Sequence, residues 1–299
     1  MSLLTRFFGK KEADDTDPRL LVANAAIQNP LSLQVLFADV WRAEARAIAA
    51  ALQSYHPSMA GARCELEADL AAEGKIIGLM GWGKHVIRFV GFDLPMPAAT
   101  VEACVAPAHY SAEMKARARA HRSHLLLYHT GEEPSLLEQY VALAAVAGAL
   151  APLGALIILN EAAHTSFPAA ALARSDPAAD MLEALRTLPL PALYVGFVKY
   201  DERGAPKVWM RTFGAPRLKL PDFAAHAAGH DEGQRYFDIF GNILNYLLTS
   251  GARLAAGHTM QVGKNEYLRL RQPGPGESFL EGEGELLVAE IIGPNEIRR

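Results

Sequence analysis

The chain has 299 residues, 51% of them hydrophobic and 21% charged, enough to bury a substantial core and unlike a disordered chain. A formal net charge of −4, with Lys and Arg scattered, gives no basic stripe and argues against nucleic acid as partner. The cysteines, Cys64 and Cys104, lack CxxC spacing, which excludes a disulfide scaffold and a structural zinc site and suits a reducing cytoplasm.

Residues 1–30 read as a tail: the short amphipathic "MSLLTRFFGKK", whose apolar segment is too short for a signal-peptide core, and then the charged "KKEADDTD". The globular part begins at "LSLQVLF", where Leu31, Leu33, Val35 and Phe37 alternate as in a half-buried strand. "VWRAEARAIAAALQSY" has helix-forming composition. After "RCELEAD", the segments "KIIGLM" and "HVIRFVGF" pair as a hairpin across "GWGK". Residues 111–120 are helical by composition, and "SHLLLYH" reads as a strand. In "EEPSLLEQYVALAAVAGAL", Pro134 suits a first helical turn, with acids beside it to match the helix dipole.

From Tyr140 to Leu159 the sequence carries no charge, as a membrane span would. Gly148, Pro152 and Gly154 interrupt it, so it divides into a buried helix ending near Leu150 and a buried strand "ALIIL", with no transmembrane segment. "DMLEALRTL" is a short helix, and "ALYVGFVKY" with "KVWMRTF" forms a second hairpin across "DERGAP". The helix that follows has Asp231 as N-cap and Gln234 at the capping-box position. Tyr236, Phe240, Ile243 and Leu247 share one face of it, and Gly251 closes it.

The two halves resemble each other. Arg88, Gly91, Leu94 and Pro95 follow the first hairpin's pattern, and Arg211, Gly214, Leu220 and Pro221 the second's. A long helix, Gly-Ala and Ala-x-His-Thr then recur in each. The fold class expected is α+β: internally duplicated ferredoxin-like units with mainly antiparallel sheets and packed helices. Residues 31–165 form the first unit, 166–272 the second and 273–299 a C-terminal loop and strand, all in one compact body.

Several motifs fail on inspection. "GLMGWGKH" is one letter from a phosphate-binding loop, but a strand follows where a helix N-terminus is needed. His121, His124, His129, His226 and His230 lack metal-site context and read as solvent-facing or locally bonded, so no metal is expected. No G-x-S-x-G elbow and no cofactor fingerprint occur, and the carboxylate pairs Glu132-Glu133 and Asp231-Glu232 stand at helix starts. The repeated His164, Thr165, His258, Thr259, Arg88 and Arg211 remain as ligand-binding candidates. They either converge on a pseudo-two-fold cleft that holds an anionic ligand, or serve the fold as backbone-bonded His, capping Thr and locally paired Arg.

"GWGKHVIRFVGFDLPMP", "AHRSHLLLYHTG", "LRTLPLPALYVGFVKY", "GHDEGQRYFDIFGNILNYL" and "AGHTMQVG" resemble a bacterial family known only as a domain of unknown function, DUF4261, over about residues 75–272. The resemblance implies a bacterial cytoplasmic protein, some similar ones being encoded near contact-dependent or secreted toxin systems, and it assigns no catalytic residue. The expected function is a protein-interaction module with a protein partner and no cofactor, such as an immunity or accessory protein of a toxin or secretion system. "MSLLTRFFGKK" and "ESFLEGEGE" are its candidate contact segments. The alternative is a small-molecule enzyme or sensor with an anionic-ligand site between the repeated units.

Overall fold

The computed structural model describes residues 3–9, 20–42, 44–67, 75–201, 207–280 and 282–297. Contacts within the chain divide it into two compact units. Unit 1 runs to Glu161 and resumes from Ser166 to Leu188, while unit 2 comprises Ala162–Thr165 and everything from Pro189. Residues 166–188 thus fall with the first unit, not the second.

The elements of the first half are α1 (Leu3–Phe7), β1 (Ser32–Phe37), α2 (Ala45–Tyr55), β2 (Arg63–Leu66), β3 (Lys75–Trp82) and β4 (His85–Phe92). They continue with α3 (Ala98–Val105), α4 (Ala112–Arg119), β5 (Ser123–His129), α5 (Leu136–Ala149), β6 (Ala155–Asn160), β7 (Thr165–Pro168) and α6 (Met181–Arg186). The strands form a seven-stranded sheet in the order β2-β3-β4-β5-β1-β6-β7. β1 pairs antiparallel with both β5 and β6 and is buried from Leu33 to Phe37, so it is central rather than half-buried. Leu36 packs with Val101, Cys104 and Val105 of α3 and Ala118 of α4. Val35 and Phe37 therefore face the other side of the sheet, and they are buried too. Helices cover both faces, which removes the alternation that reports a solvated face.

The uncharged run folds as expected. α5 is continuously buried from Gln139 to Ala149 and contacts β1, β4, β5 and β6. Its glycine has a local reason: a Cβ on Gly148 would stand 2.4 Å from the Leu172 carbonyl oxygen. Gly154 then turns the chain at φ +97 into β6. Ser135, not Pro134, starts the helix, its hydroxyl accepting the Glu138 N–H, because a hydroxyl satisfies an orphan donor and a proline only omits one. The tail is not frayed throughout: Phe7 packs with Leu21, Ala23 and Leu79, and Arg6 donates to the Leu21 carbonyl and pairs with Glu65. The charged "KKEADDTD" lies outside the described residues.

The remaining elements are α7 (Leu190–Leu193), β8 (Gly196–Asp201), β9 (Val208–Phe213), β10 (Asp222–Ala227), α8 (Gly233–Ser250), β11 (Thr259–Gly263), β12 (Glu266–Arg271) and β13 (Leu286–Ile292). Their sheet has six strands in the order β11-β12-β13-β10-β9-β8, with β10 and β13 parallel. β8 and β9 pair as the second hairpin, and its connecting residues 202–206 lie outside the described residues. β13, the strand expected within the C-terminal loop and strand of 273–299, is an inner strand between β12 and β10. Tyr236, Phe240, Ile243 and Leu247 are the buried face of α8, and Phe240 stacks on Phe223 of β10 at 5.8 Å. Asp231 lies in a 3₁₀ turn, His230–Glu232, that leads straight into α8, so the turn rather than a side-chain cap starts the helix. Gly251 closes it at φ +68, as read from sequence.

The α+β class holds, while the two sheets differ in strand number, seven against six, and give no support to a ferredoxin-like duplication. Short helices α3 and α7 carry little periodicity and left no sequence signal. Among the described residues no helix is long and apolar enough to cross a membrane.

Candidate functional site

In unit 2, two of the candidate residues meet around one ring. His164, held at φ +49, stacks on Phe213 with centroids 4.2 Å apart, and the Arg211 guanidinium carbon lies 3.8 Å over the same ring. Two planar groups that close cannot share one face, so Phe213 is sandwiched between them. Thr165 donates to the Ala192 carbonyl at 3.4 Å. Arg211 is 1% exposed, and among the described residues its Nε and Nη1 have no hydrogen-bond partner. Burial draws its pKa down, opposed by the nearby Asp222 carboxylate and a hydrogen bond to Tyr200. Asp222 accepts from the Thr212 hydroxyl at 2.9 Å and from the Ala215 and Gly214 N–H groups. Burial still pushes its pKa up to about 6, against those bonds and Arg211.

The other candidates lie elsewhere. His258 is exposed in the turn before β11, its N–H bonded to the Ala255 carbonyl and its carbonyl accepting from Leu270. Thr259 opens β11, an edge strand four ladder steps from β9, or about 19 Å at ordinary strand spacing. Arg88 belongs to unit 1, where its guanidinium lies over Phe7 at 5.2 Å and Tyr128 at 5.5 Å. A groove of about 360 Å³ in unit 2 is lined by Lys219, Arg253 and Glu285 and by none of these candidates.

Unit 1 has a groove with richer chemistry. It has a volume of about 350 Å³ and is walled by Trp82, Lys84, His85, Glu133, Glu138 and Arg186, with Ser58 at its lining. The "GWGK" turn builds one wall: Gly83, at φ +52, takes the reversal between β3 and β4, leaving Lys84 and His85 at the hairpin's end. Gly131 lets the next segment run against that end, since a Cβ there would stand 2.2 Å from the Lys84 carbonyl oxygen. The Thr130 N–H bonds the Val86 carbonyl at 2.7 Å and the Glu132 N–H bonds the Lys84 carbonyl at 2.9 Å. This brings Glu133 and the first turn of α5 over His85. Glu138 then holds Arg186 of α6 through paired bonds of 2.7 and 3.1 Å, which fixes the far wall.

Behind His85 stands His129, the last residue of β5 and 0% exposed. His85 Nδ1 and His129 Nε2 are 3.2 Å apart. Burial, and then His85, push the His129 pKa down to about 3, so it is neutral near pH 7. Its Nδ1 has no partner among the described residues. An unmatched lone pair costs less than an unmatched N–H, which places the proton on His129 Nε2, donating to His85 Nδ1. Burial also lowers the pKa of His85, with Glu133 and Glu138 opposing it and Arg186 adding to it. Neutral His85 therefore carries its proton on Nε2. Together, Lys84 and His85 give the groove an ammonium and an N–H donor, with the carboxylate of Glu133 also in its lining.

Four other histidines have local partners. His121 accepts the Met96 N–H at 2.8 Å, and its Nδ1 lies 2.8 Å from the Ala118 carbonyl. His124 Nδ1 meets the Leu94 carbonyl at 2.8 Å, His226 stacks on Trp209, and His230 pairs with Asp201. Among the described residues no cluster of three or more His, Cys, Asp or Glu is placed to hold a metal. Burial raises the Cys64 thiol to about 12, too high for a reactive thiolate. Sequence reasoning missed the His85–His129 pair because 44 residues separate its members and only the β4–β5 register, with His129 opposite Ile87, brings them together.

Residues 211–288 match the family model described as Domain of unknown function (DUF4261), from β9 to within β13 of unit 2. No curated protein and no solved structure matches the chain.

Proposed function

With residues 211–288 belonging to the DUF4261 family, which brings no assigned chemistry, we propose that the chain works through unit 1, as a small-molecule-binding enzyme or sensor whose groove takes a ligand with an anionic oxygen. The supporting observation is the His85–His129 pair, at 3.2 Å, which orients an N–H donor on a side chain that lines the groove beside Lys84. A fully buried neutral histidine behind a half-buried one is costly for the fold alone and useful for fixing a tautomer. Glu133 suits a cationic or hydroxyl group on the same ligand. Acetate, inorganic phosphate and glycine at millimolar concentration serve as probes in thermal-shift measurements. At least one should raise Tm of the parent and fail to do so for Lys84→Ala and His85→Ala. No shift with any probe, or equal shifts in the variants, would sink the proposal.

A second reading is a cytoplasmic protein-interaction module, such as an immunity or accessory protein of a bacterial toxin or secretion system. It is supported by Leu4, 40% exposed, and Phe8, 62% exposed, which stand one helical turn apart beside the anchored Arg6 and Phe7. Affinity capture from the native host with parent and Phe8→Glu tests it. A partner retained equally by both removes the support from this surface.

A further inference from the structure

A second cluster, which reaches the same groove through Ser58, has the arrangement of a nucleophile and its base. Ser58 is exposed and lines the groove, and its Oγ is 2.8 Å from His56 Nδ1. On the other side of the imidazole, Nε2 is 3.3 Å from Asp180 Oδ1. These residues come from separate segments that are tied together. Tyr55, ending α2, donates to the Leu172 carbonyl at 2.7 Å, and Arg174 donates to the Ser54 carbonyl at 2.6 Å. Met59, 0% exposed, pins the 3₁₀ turn that carries Ser58. Asp180 is oriented by the Glu183 N–H at 2.8 Å, and that bond, with His56 and Arg186 nearby, keeps its carboxyl below the usual range and ionised near neutral pH.

We propose that Ser58, His56 and Asp180 form a nucleophilic relay that hydrolyses an acyl ester or thioester seated in the unit 1 groove. The proposal rests on the ligand-binding reading of that groove and adds a reaction to it. The Asp180 carboxylate, in ion-pair contact with Nε2 at 3.3 Å, favours a proton on that nitrogen, which leaves the Nδ1 lone pair as the base. Ser58 Oγ bonds to the acyl carbon while its proton passes to His56 Nδ1. The bond from that carbon to the leaving oxygen or sulfur breaks, and the leaving group takes the proton from Nδ1. Water, deprotonated by the same nitrogen, then attacks the acyl-Ser58 carbon, releasing the acid and restoring the serine. The Ser58 N–H, which donates to Nδ1 at 3.2 Å in the resting protein, loses that acceptor once Nδ1 is protonated. It is then free for the developing oxyanion, as a nucleophile's own N–H is in other acyl transferases, with Lys84 and the His85 N–H in the same groove.

The test is labelling of the full chain with a fluorophosphonate probe, peptide mapping by mass spectrometry, and hydrolysis of p-nitrophenyl acetate. Label on Ser58, absent from Ser58→Ala, is expected, with hydrolysis falling about 100-fold or more in Ser58→Ala and His56→Gln. Asp180→Asn should lower the rate and change its pH profile, while Ser54→Ala, a neighbouring exposed serine, should match the parent. Circular dichroism of each variant separates lost chemistry from lost folding. Label elsewhere, or undiminished hydrolysis in folded Ser58→Ala, overturns the relay. Probe binding that survives in Ser58→Ala without any labelling of the parent refutes the relay and leaves the groove reading standing. Labelled Ser58 without acetate, phosphate or glycine binding does the reverse.

Discussion

Replacing His129 with Gln should flatten the acid sensitivity of unit 1. His129 is 0% exposed and its pKa is pushed from 6.5 to about 3. Between those values the unfolded chain holds a proton there and the folded one does not, so folding stability is complete above about pH 6.5 and is lost as pH falls towards 3. From pH 7 to pH 5 that linkage removes about 2 kcal/mol. His85, His121 and His124 are lowered by burial as well and add loss of the same sign. The assay is urea unfolding at pH 7 and pH 5 in a Trp209→Phe background, where Trp41 and Trp82 report on unit 1. His129→Gln should lose about 2 kcal/mol less than the parent between the two pH values, whatever its absolute stability. An equal loss in both would show that His129 is not the buried neutral partner of His85, and the tautomer argument would go with it.

Gly196→Ala should cost about 3 kcal/mol or more in thermal unfolding of unit 2, because its Cβ would sit 1.6 Å from the Ala163 carbonyl oxygen; a near-neutral result would mean that contact is absent. Tyr55→Phe should lose about 1–2 kcal/mol in denaturant titration, since it strands the buried Leu172 carbonyl, and an unchanged midpoint would contradict the anchoring of the Ser58 turn. Asp222→Ala should destabilise unit 2 by about 2–4 kcal/mol, leaving the Thr212, Gly214 and Ala215 donors unmatched. Arg211→Met should cost less than Asp222→Ala, about 1–2 kcal/mol, because it removes the Tyr200 hydrogen bond and the charge facing Asp222 while Nε and Nη1 bond nothing among the described residues. The reverse ranking in differential scanning calorimetry would refute that assignment.

Long elements with strong local signals were legible. The hairpin across "GWGK", the division of the uncharged run into α5 and β6, and the buried face of α8 follow from turn chemistry and periodicity. β1 misled because covering both faces of a strand erases alternation. The suggestion of duplication came from short shared strings, and Ala-x-His-Thr proves to occupy unlike places: His164 lies in a turn leading to β7, while Thr259 opens an edge strand. Arg211 and His164 do come together, but what joins them is Phe213, which no spacing revealed. The unit 1 groove was invisible because its residues lie between positions 58 and 186 and meet only through sheet register and helix packing. Sequence patterns report neighbours along an element, whereas sites are made across elements.

The most direct test is the long-range nitrogen–proton NMR spectrum of histidine side chains, recorded while the most stabilising of acetate, phosphate and glycine is added. Resonances of His85, and to a lesser degree His129, should move with saturation, while those of His164, His226 and His258 in unit 2 stay fixed. Movement confined to the unit 2 histidines, or none at all, would contradict a functional groove in unit 1.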